Sequence, residues 1–366
     1  MHTPPGRPAA WRTGLIELER LESQDAAELE GFLGSHGLAG EPATQQGDTA
    51  VALLLGAVGC AQLGAVPRGR PSPVAVPEVA AVAYRRGPAA APPVGGAHVG
   101  EWVTSWTDSE HEAAVEAVRR AIARGDVYQA NVVGHRQAPF RGDPLALAAA
   151  VAGLPGARYA GWLGGEDWVV ASASPEQLVR VDGDRISTMP IKGTARERDA
   201  LLHSGKDRAE HVMIVDLERN DLARVTRAGS VEVEDLYAMS DWAGLWHASS
   251  TVAGRLADGV TVLDLLRAVV PGGSVTGAPK HAACRLLADL EPVGRGVSMG
   301  ALGFLWPGGV DLGLSIRTVA AADGQIHLWA GGGITWGSDP ASEVREAHAK
   351  AEPVLAALAQ VRPSSS

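Results

Sequence analysis

Five short apolar segments between residues 127 and 191 constrain the fold of this chain more than any other feature of the sequence. Each is six to twelve residues long, tends to alternate between apolar and polar side chains, and is separated from the next by Gly or Asp. They are VYQANVVGHRQA (127–138), RYAGWL (158–163), DWVVASAS (167–174), QLVRVDG (177–183) and RISTMPI (185–191). Such segments are typical of antiparallel strands, and three more are predicted at 298–306, 310–321 and 325–334.

Three long helices are predicted between and after these strands, at 111–125, 206–224 and 341–358. Gly125 is placed to end the first of them, because glycine readily adopts the left-handed conformation found at helix C-termini. Runs of strands combined with isolated long helices favour an α+β fold over a regular βαβ repeat.

The first hundred residues have a different texture. A charged helical pattern fits 15–33, the apolar run 50–66 is predicted to form paired core strands, and the Pro/Gly/Ala-rich passage 65–98 is predicted to be irregular. We therefore divide the chain into an N-terminal region, 1–98, and a functional domain, 99–362. The N-terminal region is expected to contribute to the sheet core and to end in the Pro/Gly-rich connection.

Composition excludes several functional classes. A net charge of −10 over 366 residues argues against nucleic acid as a partner, and an anionic substrate would need local cations or a metal. Cys60 and Cys284 have no metal-binding or redox spacing and are expected to be buried free thiols. No secretion signal, P-loop, dinucleotide fingerprint or nucleophile elbow is recognisable. Because free thiols are typical of a reducing compartment, we expect a cytoplasmic protein. Glycines interrupt the 50–66 run, so no membrane partner is expected.

Glu210 occupies an unusual position in the helix predicted at 206–224. Met213, Ile214 and Leu217 follow it at the spacing of an apolar stripe, so its carboxylate is expected to point into the protein. Burial of an unpaired carboxylate is costly, which predicts a base, a hydrogen-bond donor or a metal as its partner. Asp207 lies one turn earlier on the same face, although an acid at a helix start is common for other reasons.

The C-terminal helix carries a second acidic pair. Glu343, Glu346 and Lys350 follow one another at helical spacing on one face. A solvated salt-bridge stripe is the alternative interpretation. Two helices that each offer acidic pairs would suit a hard divalent cation such as Mg²⁺, which prefers oxygen ligands.

Anion-binding groups are predicted on the strands nearby. Strand alternation through VDLGLSIRTV places Arg317 on the same face as Gly313 and Ser315, which leaves room to bind a carboxylate, although a strand-edge arginine is equally common. The glycines at 331–333 are predicted to end the next strand in an anion nest, and a flexible turn is the alternative. The small-residue loop 271–280 is a second possible anion cradle. Together these groups indicate a metal-dependent site for a small polycarboxylate.

Ten ordered blocks of the sequence resemble the chorismate-utilising enzymes, the family of anthranilate synthase component I, aminodeoxychorismate synthase component I, isochorismate synthase and salicylate synthase. The resemblance covers roughly residues 100–360. The blocks are GDVYQAN (125–131), SPEQLVRV (174–181), PIKGTARE (190–197), AEHVMIVDLERNDLARV (209–225), WHASSTVAGRL (246–256), PGGSVTGAPK (271–280), GALGFL (300–305), DLGLSIRT (311–318), AGGGI (330–334) and SDPASEVREAHAK (338–350).

The resemblance implies two large antiparallel β-sheets packed face to face with flanking helices, and a chorismate site between the sheets within 99–362. It implies Mg²⁺ bound by Glu210 and Glu346, with Asp207 and Glu343 in support. Glu176 matches the general acid that protonates the departing hydroxyl, and His247 matches a histidine near the ring. The residues implied to contact chorismate are Arg317, Thr276, Gly277, Gly331, Gly332, Gly333 and Lys350.

Two residues indicate which branch of the family the chain resembles. Family members that add water to chorismate carry a lysine base at the position of Gln129, so glutamine there implies ammonia as the nucleophile. Anthranilate synthases have alanine at the position of Lys192, whereas aminodeoxychorismate synthases have the PIKGT sequence found here. The resemblance implies that the lysine of that branch forms a covalent bond to C2 of the ring, so we expect Lys192 to be a nucleophile.

The resemblance therefore implies an aminodeoxychorismate synthase component I that supplies p-aminobenzoate to folate or secondary metabolism. No glutaminase sequence is attached, so we expect a separate glutamine amidotransferase subunit to deliver ammonia. Anthranilate synthase component I is the alternative, and a chorismate-binding module without catalysis is less favoured because the acid, nucleophile and metal positions are all filled.

Overall fold

The alternating segments pair into antiparallel sheets in a computed structural model, which describes residues 15–87, 95–195, 197–203, 205–242 and 245–362. The strands in this part of the chain are β1 (Leu15–Ser23), β2 (Thr49–Leu55), β3 (Val79–Arg86), β4 (Ala97–Val99), β5 (Val103–Thr104), β6 (Gln129–Gly142), β7 (Tyr159–Gly164), β8 (Trp168–Ser174), β9 (Gln177–Asp182), β10 (Arg185–Met189), β11 (Ile191–Ala195), β12 (Glu232–Trp242), β13 (Leu245–Arg255), β14 (Gly277–Ala278), β15 (Ala301–Trp306), β16 (Gly309–Leu314), β17 (Thr318–Ala322) and β18 (Gln325–Ile334).

Helices connect and flank these strands. They are α1 (Glu28–Ser35), α2 (Ala57–Leu63), α3 (Asp108–Arg124), α4 (Pro144–Ala152), α5 (Arg198–Leu202), α6 (Gly205–Ala223), α7 (Val262–Val269), α8 (Gly273–Thr276), α9 (Lys280–Leu290) and α10 (Pro340–Ala359), with a 3₁₀ turn at Pro42–Thr44. The three long predicted helices are confirmed as α3, α6 and α10. Gly125 ends α3 in the left-handed conformation, with φ 81°, as predicted.

The described strands form two antiparallel sheets. The larger has the order β1-β3-β2-β15-β16-β9-β10-β13-β11, with β12 also paired to β13. The smaller has the order β14-β6-β18-β17-β8-β7, with β4 and β5 also paired to β6. One apolar core contains Val51 and Val179 from the larger sheet together with Val170 and Trp329 from the smaller. The expected α+β fold of two antiparallel sheets packed face to face, with flanking helices, is therefore confirmed.

Three predictions for the N-terminal region were wrong. The expected helix over 15–33 is strand β1 followed by α1, because β3 provides a pairing partner for every residue of β1 except Leu18, at an irregularity in the register. The run 50–66 is one strand and one helix, β2 and α2, with Gly56 between them. The passage 65–98 contains β3, whose small apolar residues are buried between β1 and β2. The Pro/Gly/Ala-rich composition of this passage led to the prediction of an irregular segment, although β3 lies within it. The domain boundary at 98/99 stays a prediction.

A buried histidine pair joins β6 to β18. His135 Nε2 lies 3.1 Å from His327 Nδ1, and both rings stack near Trp329. Burial lowers the pKa of His135 to about 3 and the pKa of His327 to about 4, and the neighbouring His327 ring further disfavours protonation of His135. Both rings are therefore neutral in the folded protein at neutral pH.

We expect this pair to make the protein sensitive to acid. Below pH 6.5 the two histidines are protonated in the unfolded chain but stay neutral in the folded protein. The contribution of the two histidines to the free energy of unfolding therefore falls from pH 6.5 towards pH 4. Each histidine adds a slope of at most about 1.4 kcal/mol per pH unit. His327→Gln should reduce the slope measured by urea unfolding between pH 4.5 and 7. The exposed His281→Gln is the matched control. Parallel curves for wild type and His327→Gln would contradict the prediction.

Candidate active site

The candidate site is built around the first residue of β6. Ala278 of β14 lies opposite Gln129 in the register, and the pairing of β6 with β18 begins at the next residue, Ala130. The Gln129 side chain is 1% exposed, and neither its amide nitrogen nor its amide oxygen has a hydrogen-bond partner in the described part of the chain. A buried amide without partners is costly, so this position is suited to a ligand that supplies them.

Lys192 lies beside this amide. A Cβ atom added to Gly333 of β18 would lie 3.7 Å from Lys192 Nζ. The same atom would collide with the amide nitrogen of Gln129, so the two side chains approach the same point of β18. The side-chain nitrogen Nζ of Lys192 donates to the carbonyl oxygen of Ser274 at 3.2 Å. His211 of α6 holds the backbone at this point, because its Nε2 lies 2.8 Å from the Lys192 carbonyl oxygen. Lys192 is thus a half-buried amine at the site, fixed by its own strand and by α6.

Glu176 approaches the same turn from between β8 and β9. It is 6% exposed, and Ser274 Oγ donates to its Oε1 at 2.6 Å. Burial raises the pKa of Glu176, whereas Lys192 and the hydrogen bond from Ser274 oppose that increase. A carboxyl group whose pKa is raised towards neutrality suits a general acid. The Ser274 backbone and side chain therefore contact both groups, with the carbonyl facing Lys192 and the hydroxyl facing Glu176.

The prediction for Arg317 was wrong in its reasoning. Strand β16 ends at Leu314 and β17 begins at Thr318, so Arg317 lies in the break with φ 49° instead of on a strand face. The Ser315 hydroxyl anchors the break by donating to the Val297 carbonyl at 2.6 Å. Burial lowers the pKa of Arg317, and Glu176 partly offsets this. The Arg317 guanidinium makes no hydrogen bond or ion pair to any other described residue, which leaves it available to a ligand carboxylate.

The three glycines do not form the predicted nest at a strand end. Gly331, Gly332 and Gly333 lie inside β18 and pair with Val133, Val132 and Asn131 of β6, so the ladder continues beyond them. Their role in the structure is to leave space. A side chain at Gly331 would collide with the Val132 carbonyl, and one at Gly333 would collide with Gln129.

The carboxylates of α10 gather around Gly332. A side chain there would begin 3.3 Å from Glu343 Oε2, 3.5 Å from Lys350 Nζ and 3.8 Å from Glu346 Oε1. Lys350 Nζ also lies 2.7 Å from Glu346 Oε1 and donates to the Gly331 carbonyl at 3.1 Å. Glu343 is 3% exposed, whereas Glu346 and Lys350 are exposed. Glu343, Glu346 and Lys350 therefore share one face of α10, as expected, and this face lies against the glycine segment, 331–333.

The remaining expected residues are only partly located. Glu210 of α6 is buried, as its position in the apolar stripe predicted. The side chain of Asp207 lies outside what the structure describes. His247 is buried on β13, opposite Thr194 of β11 in the register. Within the described residues, no three His, Cys, Asp or Glu side chains form a group that could hold a metal ion.

The loop 271–280 forms the floor of the site. Thr276 is buried at the end of α8, and its hydroxyl donates to the Gly272 carbonyl at 2.8 Å. Gly277 follows with φ 139°, a conformation that favours glycine, and a side chain there would collide with the Gln129 carbonyl. This close approach lets β14 pair with the start of β6.

Sequence reasoning missed two residues that organise the site, Ser274 and His211. Ser274 was visible only as one member of a small-residue loop, and His211 only as the neighbour of Glu210. Their roles depend on contacts with distant strands, which no local pattern reports.

Comparison with known proteins identifies the family. The model of the chorismate binding enzyme family matches residues 71–356. The chain belongs to the chorismate binding enzymes. Lys192, Glu176, Gln129 and Arg317 all lie within the matched part, and so do the carboxylates of α10.

Curated relatives with two different activities are similar to this chain. The chain is 40% identical over 270 residues to anthranilate synthase component 1 of Streptomyces coelicolor, covering 70% of this chain and 53% of the relative. It is 36% identical over 265 residues to aminodeoxychorismate synthase component 1 of Salmonella typhimurium, covering 69% and 58%. The chain thus spans little more than half the length of these relatives, and the two identities are too similar to separate the activities.

A solved structure supports the fold. The crystal structure of anthranilate synthase component I from Streptococcus pneumoniae superposes with a TM-score of 0.81 at 22% identity, covering 97% of this chain and 93% of that one. At this identity the likeness concerns the fold of a chorismate binding enzyme. Among the described residues, no helix has the length and apolar character needed to span a bilayer.

Proposed function

We propose that the chain is the chorismate-converting component of an aminodeoxychorismate synthase, which forms 4-amino-4-deoxychorismate from chorismate and ammonia. The observation that carries the proposal is Lys192, whose amine lies at the Gly333 position beside the unpartnered Gln129 amide. The family resemblance implies alanine at this position in anthranilate synthases, so we propose that the choice between the two products depends on Lys192.

The proposed reaction uses the groups around Ser274. Neutral Lys192 forms a bond to C2 of the chorismate ring while the C4–O bond breaks. Glu176 gives its proton to the departing oxygen, which leaves as water. Ammonia then forms a bond to C4, and the bond between C2 and Lys192 breaks, which restores the free amine. The contact of Lys192 Nζ with the Ser274 carbonyl supports this role, because the hydroxyl of the same serine contacts Glu176 and so places the nucleophile and the acid on one residue.

Arg317, Gln129 and the glycine segment would position the substrate. We propose that Arg317 binds the enolpyruvyl carboxylate and that the Gln129 amide forms hydrogen bonds to the incoming ammonia or to the ring substituents. His247, Thr276, Gly277 and Lys350 would line the remaining surface, as the family resemblance implies.

We propose Mg²⁺ as the cofactor, on the basis of the oxygen donors that α10 offers. Glu343 and Glu346 offer oxygen ligands around Gly332, and Mg²⁺ typically takes one or two carboxylates and completes its shell with water and substrate oxygens. Glu210, with Asp207, would complete the set from α6. When bound, the ion would neutralise and orient the ring carboxylate of chorismate.

A glutamine amidotransferase subunit is proposed as the source of ammonia. The "component 1" in the names of the relatives implies a second component in those proteins. We expect free ammonium salts to support activity of this chain alone.

Anthranilate synthase component I is the second candidate, because a relative of that activity is 40% identical to this chain. The products separate the two. The chain is incubated with chorismate, MgCl₂ and ammonium chloride, and each reaction is repeated without ammonium as a control.

A product that yields p-aminobenzoate only after addition of an aminodeoxychorismate lyase would support the proposal. Anthranilate fluorescence together with pyruvate release would overturn it in favour of the second candidate. Unchanged chorismate under all conditions would overturn both and favour a binding module.

A further inference from the structure

Glu218 is a buried carboxyl group that the proposed reaction does not use. It lies in α6 and is 4% exposed. An ionised carboxylate at such a position is costly, so burial of this kind normally requires a cation, a metal or protonation. The hydroxyl of Thr188 donates a hydrogen bond to Glu218, and no described residue forms an ion pair with it.

The location of Glu218 connects it to the catalytic acid. A side chain at Gly273 would begin 3.5 Å from Glu218 Oε1, so the carboxyl group lies against the backbone of Gly273. The next residue, Ser274, donates to Glu176 Oε1 at 2.6 Å. Glu218 and Glu176 thus approach one short helix, α8, at consecutive residues, and Glu176 disfavours the ionisation of Glu218.

An ion pair near the surface lies one turn from Glu218 along α6. Asp221, one turn further along α6, forms an ion pair at 2.8 Å with Lys280 at the start of α9. The side chain of Lys280 is 14% exposed, so this pair lies close to the surface. Asp221 therefore shares one face of α6 with Glu218 and connects that face to a cation near the surface. The groups that face Glu218 are Asp221 on its own helix, Lys280 on α9, Thr188 on β10 and Glu176 before β9.

A buried general acid needs a source of protons. After each turnover Glu176 is a carboxylate at 6% exposure, in a site that the substrate fills, so direct exchange with water is restricted. Resting on the proposed function, we propose that Glu218 returns the proton to Glu176, which makes it a proton-delivering residue of this chain.

The step balances as a proton transfer. The C4–O bond breaks, the Glu176 proton leaves with the departing oxygen as water, and Glu176 becomes a carboxylate. The proton of Glu218 then moves to Glu176, directly or through one water, and Glu218 takes a proton from solvent near Asp221. The proton that ammonium releases when it becomes ammonia balances this uptake.

Electrostatics is consistent with this role. Burial raises the pKa of Glu218, with Asp221 adding to the increase and Lys280 opposing it. The group is therefore held as a carboxylic acid over a range in which an exposed glutamate is ionised.

The test is the pH dependence of Glu218→Gln, measured as chorismate consumption with saturating ammonium chloride between pH 6.5 and 9.5. Glutamine keeps the shape and the hydrogen bond to Thr188 but cannot carry a proton between groups. We expect kcat to fall about tenfold or more at pH 8.5, within the range of general acid–base effects. The alkaline decline should begin at lower pH, and KM for chorismate should stay within about twofold of wild type, because Glu218 does not contact the substrate.

Two variants serve as controls. Asp216→Asn alters an exposed carboxylate on the same helix and should leave the profile unchanged. Glu218→Asp retains a carboxyl group and should recover part of the activity. If Glu218→Gln fails to fold, as judged by circular dichroism, Glu218→Asp replaces it, and a smaller alkaline shift is expected.

A profile of unchanged shape for the folded Glu218 variant would overturn the inference and leave Glu218 a structural residue. The result is distinguishable from failure of the proposed function, because that failure appears as absence of p-aminobenzoate formation by the wild-type chain. The pH comparison requires only that wild type consumes chorismate.

Discussion

Lys192→Ala is expected to reduce formation of 4-amino-4-deoxychorismate by about three orders of magnitude or more, since removal of a covalent nucleophile usually has effects of this size. The alanine variant retains the Ser274 hydroxyl, Glu176 and the Gln129 amide, so the site keeps its acid and its ligand-binding groups. We therefore expect chorismate to bind with similar affinity, measured by calorimetry, while turnover is lost.

Fold and chemistry can be checked separately in this variant. The Lys192 backbone carbonyl, which His211 contacts, is unchanged by the substitution, so β11 should stay in place and the circular dichroism spectrum should match wild type. Lys350→Ala is a useful comparison, because it removes a second site lysine that pairs with Glu346 and should mainly weaken chorismate binding.

A covalent adduct would report the nucleophile directly. Incubation of wild type with chorismate and Mg²⁺, without ammonia, should leave a mass on the peptide that contains Lys192 equal to chorismate minus water. The alanine variant should show no such mass. Wild-type turnover by Lys192→Ala would contradict the nucleophilic role and return Lys192 to a structural one.

The sequence predicted the sheet architecture well because its strands from 127 to 191 alternate and are separated by turn residues. The prediction failed where pairing partners lie far apart. Strand β1 carries Glu and Leu residues that favour helix locally, yet β3, some sixty residues later, determines its conformation. Local propensity has no access to that information.

The same limit applies to the site. Glu210 was located correctly because helical spacing alone places it in the apolar stripe. Arg317 was assigned to a strand face, although a break at Ser315 sets its direction. The glycines at 331–333 are visible in the sequence, but whether they end a strand or continue it depends on the partner strand β6. Residues whose roles arise from side-chain contacts between distant segments, such as Ser274, carry no local signal.

Glu176→Gln is the second substitution for which we expect a large effect. Glutamine has the same shape, and its amide oxygen can still accept the hydrogen bond from Ser274, so little change in fold is expected. It cannot protonate the departing hydroxyl. We expect kcat to fall by about 100- to 10,000-fold, the usual range for loss of a general acid, with a smaller change in KM.

The pH profile separates loss of the acid from loss of packing. Wild-type activity should decline at alkaline pH as Glu176 ionises, and its raised pKa places this decline above the range of an exposed glutamate. The residual activity of Glu176→Gln should lack this decline. Ser274→Ala supplies the opposite control: its hydroxyl favours the ionised form, so its removal should raise the pKa of Glu176 and move the decline to higher pH. The prediction fails if the alkaline decline in activity occurs at the same pH in Ser274→Ala as in wild type and is still present in Glu176→Gln. That result would assign the proton donor to another group.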